Sequence, residues 1–90
     1  MHYITAVHVD GGDTERHITS VRWLNGESGV SQVSSVEAMV KWLSEGNHAY
    51  VGGEHGRAAL RFVTPNSGPA YLRSMVNDRW TDNLLRLPRY

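Results

Sequence analysis

The chain contains no cysteine, which excludes disulfides, thiolate metal sites and cysteine nucleophiles. Small secreted domains commonly rely on disulfides, so their absence points to a reducing compartment, and a cytoplasmic location is expected. Long apolar runs are missing as well. None approaches the roughly 20 residues needed to cross a bilayer. The opening Met1-His2-Tyr3-Ile4-Thr5 has neither the basic nor the apolar segment of a secretory signal, and no membrane partner is expected. Net charge is also absent: nine Lys and Arg balance nine Asp and Glu. That balance argues against general, sequence-independent binding to nucleic acid. Lysine is nearly absent, since eight of the nine basic residues are arginine. Arginine suits bidentate or stacked recognition better than lysine does. A GC-rich genome, whose codons favour arginine, accounts for the same bias more plainly.

What is present suffices for one folded unit, a single domain over residues 1–90. A chain of this length buries only about 60–65 % of the surface its unfolded form exposes, which leaves room for one core. Ten valines, seven leucines, three tryptophans and four tyrosines are enough to fold it unaided. Charge is spread unevenly. Residues 1–45 carry six acidic groups against Arg16, Arg22 and Lys41, a net of −3. Residues 46–90 carry six arginines against Glu54, Asp78 and Asp82, a net of +3.

Tyr3 to Val9 is rich in β-branched and aromatic residues and reads as a strand. Asp10-Gly11-Gly12-Asp13 signals a turn. His17 to Leu24 reads as a second strand, with Ile18, Ser20 and Arg22 alternating against Thr19, Val21 and Trp23. The two form an antiparallel hairpin whose loop exceeds the tight two-residue type. Val30 to Val33 is a short third strand after the turn at Asn25-Gly26-Glu27-Ser28-Gly29. Ser34-Ser35-Val36-Glu37 fits a capping box, in which a serine caps the first amides and the glutamate reaches back. Val36, Met39, Val40 and Leu43 then fall at i, i+3, i+4 and i+7, one apolar stripe with Trp42 at its edge. Gly46 suits the left-handed helix end. Strands follow at His48 to Val51, Ala58 to Thr64 and Tyr71 to Val76, separated by a glycine-rich flexible turn at 52–56 and by Pro65-Asn66-Ser67-Gly68-Pro69. Asn77-Asp78 turns the chain toward Trp80. Thr81 to Pro88 suits a capped helical turn stopped by proline.

Chemistry-bearing constellations are sparse. The glycine-rich stretches at 10–13 and 52–56 lack the spacing and the Lys-Ser/Thr of a nucleotide loop, and neither opens a helix. His8, Asp10, Asp13 and His17 flank the first turn but match no known ligand spacing. No Gly-x-Ser-x-Gly elbow is present. Trp23, Trp42 and Trp80, with Tyr50 and Tyr71, either stack bases between arginines or, more simply, fill the core. In the C-terminal string, Asp82 or Thr81 caps the last turn and Leu84, Leu85 and Leu87 lock the tail to the sheet. A functional reading of the same string sets Arg73, Trp80, Asp82 and Asn83 side by side as a polar pocket for an anionic or planar group. Leu43→Ala and Leu85→Ala are each expected to cost about 2–5 kcal/mol, as buried truncations do.

At Tyr71-Leu72-Arg73-Ser74 and Trp80-Thr81-Asp82-Asn83-Leu84-Leu85, followed by Leu87-Pro88, the chain resembles a family of small bacterial and phage-associated proteins described only as a domain of unknown function. Ile4-Thr5-Ala6-Val7, His17 to Trp23 and Met39-Val40-Lys41-Trp42-Leu43 extend the resemblance over nearly the whole chain. Asn77-Asp78 and Ser74 depart from the Asp-Gly and Thr of that pattern. The resemblance implies a soluble bacterial setting and brings no activity, ligand or catalytic residue.

The expected fold is therefore α+β: a small, curved, antiparallel sheet of about five or six strands packed on one main helix over about residues 35–45. Function follows by elimination. The chain is expected to be a non-enzymatic binding or protein-interaction module, its partner another protein or a second copy of itself. The alternative is nucleic-acid or small-anion binding through an arginine and aromatic face of the C-terminal half, with nucleic acid not favoured. Its candidate ligand residues are Arg61, Arg73, Arg79, Trp80, Asp82 and Asn83. No catalytic residue, metal or cofactor is expected.

Overall fold

A computed structural model of the chain describes residues 1–52 and 57–90. Its strands are β1 (His2–Val9), β2 (Ile18–Asn25), β3 (Ser31–Ser35), β4 (Ala49–Val51), β5 (Ala58–Val63), β6 (Tyr71–Val76) and β7 (Arg79–Thr81). Helix α1 (Val36–Ser44) joins β3 to β4, and a 3-10 turn at Glu15–His17 leads into β2. All seven strands lie in one sheet, ordered β3-β2-β1-β4-β5-β6-β7. The fold is α+β, but the sheet has seven strands where five or six are expected, and it is mixed rather than antiparallel. Most of the turn expected at 52–56 falls outside the described residues.

The two departures have separate causes. β1 and β3 each run antiparallel to β2, and β4 then pairs with β1 in parallel. Parallel neighbours cannot be joined by a tight reversal, so α1 carries the chain across and returns it in the same direction. The additional strand, β7, arises because Asn77 and Asp78 adopt φ of 50° and 63°. Two successive left-handed residues make the hairpin turn whose twist suits paired strands. Arg79–Thr81 therefore folds back on β6 before the helical turn at residues 82–86, which is marked by the Arg86 amide donating to Asp82 O at 3.1 Å.

Strict alternation also fails in the first hairpin. Register shifts between Ile4 and Ala6 and between His8 and Val9 insert an extra residue into each strand. Ile4 and Val7, like Ile18 and Val21, are thus both buried at a spacing of three. A β-bulge changes which parity faces the core, so the alternation expected for Ile18 to Trp23 holds only from Ser20 onward.

Helix α1 begins where expected, with a different cap. Ser35 Oγ accepts the Ala38 amide at 3.1 Å. Glu37 is then the second helical residue, one position too early to reach back, and no capping box closes there. Ser34 instead points to the sheet, where its Oγ accepts Trp23 Nε1–H at 2.9 Å. Val36 and Met39 are buried, while Val40, Trp42 and Leu43 are half-buried against the core. Gly46, at φ 97°, ends the helix as expected, its amide donating to Leu43 O at 3.0 Å.

α1 packs against β2, β3, β5 and β6. Since β2 and β6 stand four places apart in the sheet, the sheet curls around the helix. The fully buried large apolar side chains are aliphatic: Ile4, Val7, Val21, Val51, Leu60 and Leu72 from the strands, and Leu84 from the terminal turn. The aromatics do not fill the centre of the core. Trp23 and Trp42 sit at its margin, and Trp80 is 43 % exposed. The tail closes the remaining gap on β1, with the Val7 amide donating to Pro88 O at 3.0 Å and the Tyr90 amide to Val7 O at 3.2 Å. No helix among the described residues is long and apolar enough to cross a membrane.

Candidate functional site

The sheet has a second, outward face, and the register fixes what it carries. Leu60, Leu72 and Ser74 are fully buried on the inner side. Successive strand residues point to opposite faces, so Arg61, Arg73 and Met75 point outward. Arg61 stands directly opposite Arg73, and Trp80 stands opposite Met75. The Arg73 guanidinium lies over the Trp80 ring, 4.7 Å from its centroid. Arg73 Nε is buried and has no hydrogen-bond partner among the described residues. Arg61 Nη1 donates to Leu60 O at 3.3 Å.

Charge on this face is unbalanced. Like charges directly opposite on neighbouring strands destabilise a sheet unless something neutralises them. Among the described residues the ion pairs are the Met1 amino group with Glu27 at 3.9 Å and Arg86 with Asp82 at 3.1 Å. Neither reaches Arg61 or Arg73. No described strand contains Asp or Glu, whereas strands β2, β5, β6 and β7 contain Arg22, Arg61, Arg73 and Arg79. The described acidic residues sit in turns and loops, in the 3-10 turn and on α1, so the described strands present donors and rings without acceptor charges.

Of the six candidate residues, the structure brings Arg61, Arg73 and Trp80 together. Arg79 pairs with Val76 and faces the other side of β7. Asp82 is occupied by Arg86. Asn83 is half-buried, its amide 3.5 Å from Thr81 Oγ1. The amide of Leu84 is capped not by Asp82 but by Ser74 Oγ, at 3.2 Å. Two further arginine and ring pairs extend the outer face: Arg57 over Tyr50 at 5.7 Å and Arg22 over Tyr90 at 4.8 Å. Tyr90 also bonds Ser20 Oγ through its hydroxyl at 2.6 Å. The sequence reading misses the Arg22 and Tyr90 pair because a separation of that length leaves no local signal. Met75 is legible from the period of β6 alone.

His8 and His17 do not converge. His8 Nδ1 lies 2.6 Å from Tyr90 O, whereas His17 Nδ1 meets Thr14 Oγ1 at 2.8 Å within the 3-10 turn. That hydroxyl and imidazole pair is exposed and serves as a local cap. Among the described residues no three His, Asp or Glu are placed to hold a metal ion.

A family model described as "Protein of unknown function (DUF3892)" matches residues 3–88. No curated protein and no solved structure matches the chain.

Proposed function

We propose, for a chain that belongs to the DUF3892 family of proteins of unknown function, a non-enzymatic binding role in which the outer face of β5, β6 and β7 engages an acidic segment of a partner protein. The observation that carries this reading is the facing pair Arg61 and Arg73, with Arg73 Nε buried and unpartnered beside exposed Trp80. A carboxylate docked there accepts from the terminal nitrogens of the two guanidinium groups and removes the repulsion between them. Arginine, tryptophan, tyrosine and methionine are also the residues enriched at protein interfaces, where lysine is depleted. Nucleic acid is the less favoured partner, since two of the C-terminal arginines, Arg79 and Arg86, stand apart from this face.

The test follows the Arg73 Nε–H resonance while the protein is titrated with a glutamate-rich peptide and, separately, with an oligothymidylate. A saturable shift with the peptide is expected, weakening with added salt. Arg73→Ala should reduce the affinity about tenfold, the effect of one charge-assisted hydrogen bond. Tighter binding of the oligonucleotide would transfer the site to the nucleic-acid reading. No shift with either probe at low salt would remove both.

A further inference from the structure

A groove of about 190 Å³ opens between α1 and the sheet, away from the arginine face. It is lined by His2, Trp23, Ser34, Ala38, Met39 and Trp42. The register builds it: His2 precedes Ile4 by one pleat on the inner face, Trp23 stands opposite Ile4, and Ser34 stands opposite Val21. The helix supplies the other wall. The His2 ring contacts Trp23 at 5.1 Å, tilted by 60°, and Trp42 at 5.0 Å, at 73°. Tilted and edge-on contacts of this kind are the favoured aromatic geometries, so the three rings hold one another in place. The space exists because Ala38, an exposed residue, offers only a methyl group where a longer side chain would fill it.

The lining has few polar atoms, and they are specific. Ser34 Oγ already accepts from Trp23 Nε1, which leaves its own hydrogen to donate. That hydrogen and both ring nitrogens of His2 have no partner among the described residues. No Asp, Glu, Lys or Arg lines the groove, and a charged ligand entering an apolar site would lose hydration without compensation. We propose that this groove binds a small, neutral, planar heteroaromatic molecule of bicyclic size that carries a hydrogen-bond acceptor. An apolar cavity of about 150 Å³ takes benzene, so the larger groove admits a fused second ring. The acceptor meets the Ser34 hydroxyl.

The full chain, labelled with ¹⁵N, provides the test. Isoquinoline, neutral at slightly alkaline pH, supplies a ring acceptor. Naphthalene has the same size and neither donates nor accepts a hydrogen bond. Isoquinoline should shift the Nε1–H resonances of Trp23 and Trp42 saturably, in the millimolar range or tighter, as suits a ligand of about ten heavy atoms. Trp80 Nε1–H, on the outer face, should stay in place. At equal concentration naphthalene should bind about fivefold more weakly, lacking the hydrogen bond. Ala38→Phe fills the groove from an exposed helix position and should abolish the shifts. Ala38→Leu replaces it if the phenylalanine variant melts early. No saturable shift with either probe, equal binding of the two, or shifts that persist in the folded Ala38 variant would each overturn the proposal.

Discussion

Ser74→Ala is the most informative single substitution. Ser74 is fully buried and is the only polar residue in the buried set among the described residues. Its Oγ lies 3.1 Å from Thr81 O and 2.8 Å from Thr81 Oγ1, and it accepts the Leu84 amide at 3.2 Å. One hydroxyl thus ties β6 to β7 and to the terminal turn. Alanine leaves almost no cavity, so the cost is that of hydrogen bonding. The Leu84 amide, on a fully buried residue, loses its partner, a penalty of about 1–3 kcal/mol. The lost donation to half-buried Thr81 adds less, because water can replace it in part. A total of about 2–3 kcal/mol is expected. At about 4–8 °C per kcal/mol for a chain of this size, the melting temperature falls by about 8–24 °C. Urea denaturation should show a lower midpoint at unchanged slope, and amide exchange should accelerate at Leu84. Thr81→Val should cost about 1 kcal/mol or less, since the Thr81 carbonyl still receives the Ser74 proton. A loss below about 0.5 kcal/mol for Ser74→Ala, a value typical of surface sites, with Leu84 still protected, would refute the role of this hydroxyl.

Two further outcomes separate the structure from the expectation drawn from the chain alone. Leu84→Ala should cost about 3–5 kcal/mol, because Leu84 is fully buried. Leu43→Ala and Leu85→Ala, both half-buried, should each cost about 1–2 kcal/mol, a share of the full truncation penalty. Chemical denaturation of the three variants in parallel checks the order. Asp78→Gly should stabilise the protein by about 0.5–1 kcal/mol, since it relieves a left-handed residue at φ 63°. A drop in stability would mean that the Asp78 side chain, rather than the turn geometry, holds the hairpin.

The elements with a strong local signal were legible. The apolar stripe from Val36 to Leu43, the glycine at 46 and the run from Tyr71 to Val76 each match the observed element. The N-cap differs by one residue because Ser34 and Ser35 offer the same chemistry, and only the position of Trp23 decides that Ser34 turns away. β7 was not legible, since Arg79–Thr81 is three residues long and its identity as a strand rests on the backbone angles of Asn77 and Asp78. The candidate ligand residues divide in the same way. Arg61, Arg73 and Trp80 share a face through cross-strand register, whereas Asp82 and Asn83, adjacent to Trp80 in the chain, turn away with the helical turn.

The sequence by itself determined the α+β class, the placement of the helix and most strands, the absence of thiol chemistry and the uneven charge of the two halves. These are properties of composition and of short periods, which local sterics and amphipathic burial enforce within about ten residues. Tertiary structure alone decided that β4 runs parallel to β1, that Ile4 and Val7 are buried together, and that Arg61 faces Arg73 while Tyr90 covers Arg22. Each depends on which strands become neighbours and on where a bulge shifts the register. Those choices are made by the closing of a common core between segments far apart in the chain, and no local stretch of sequence records them.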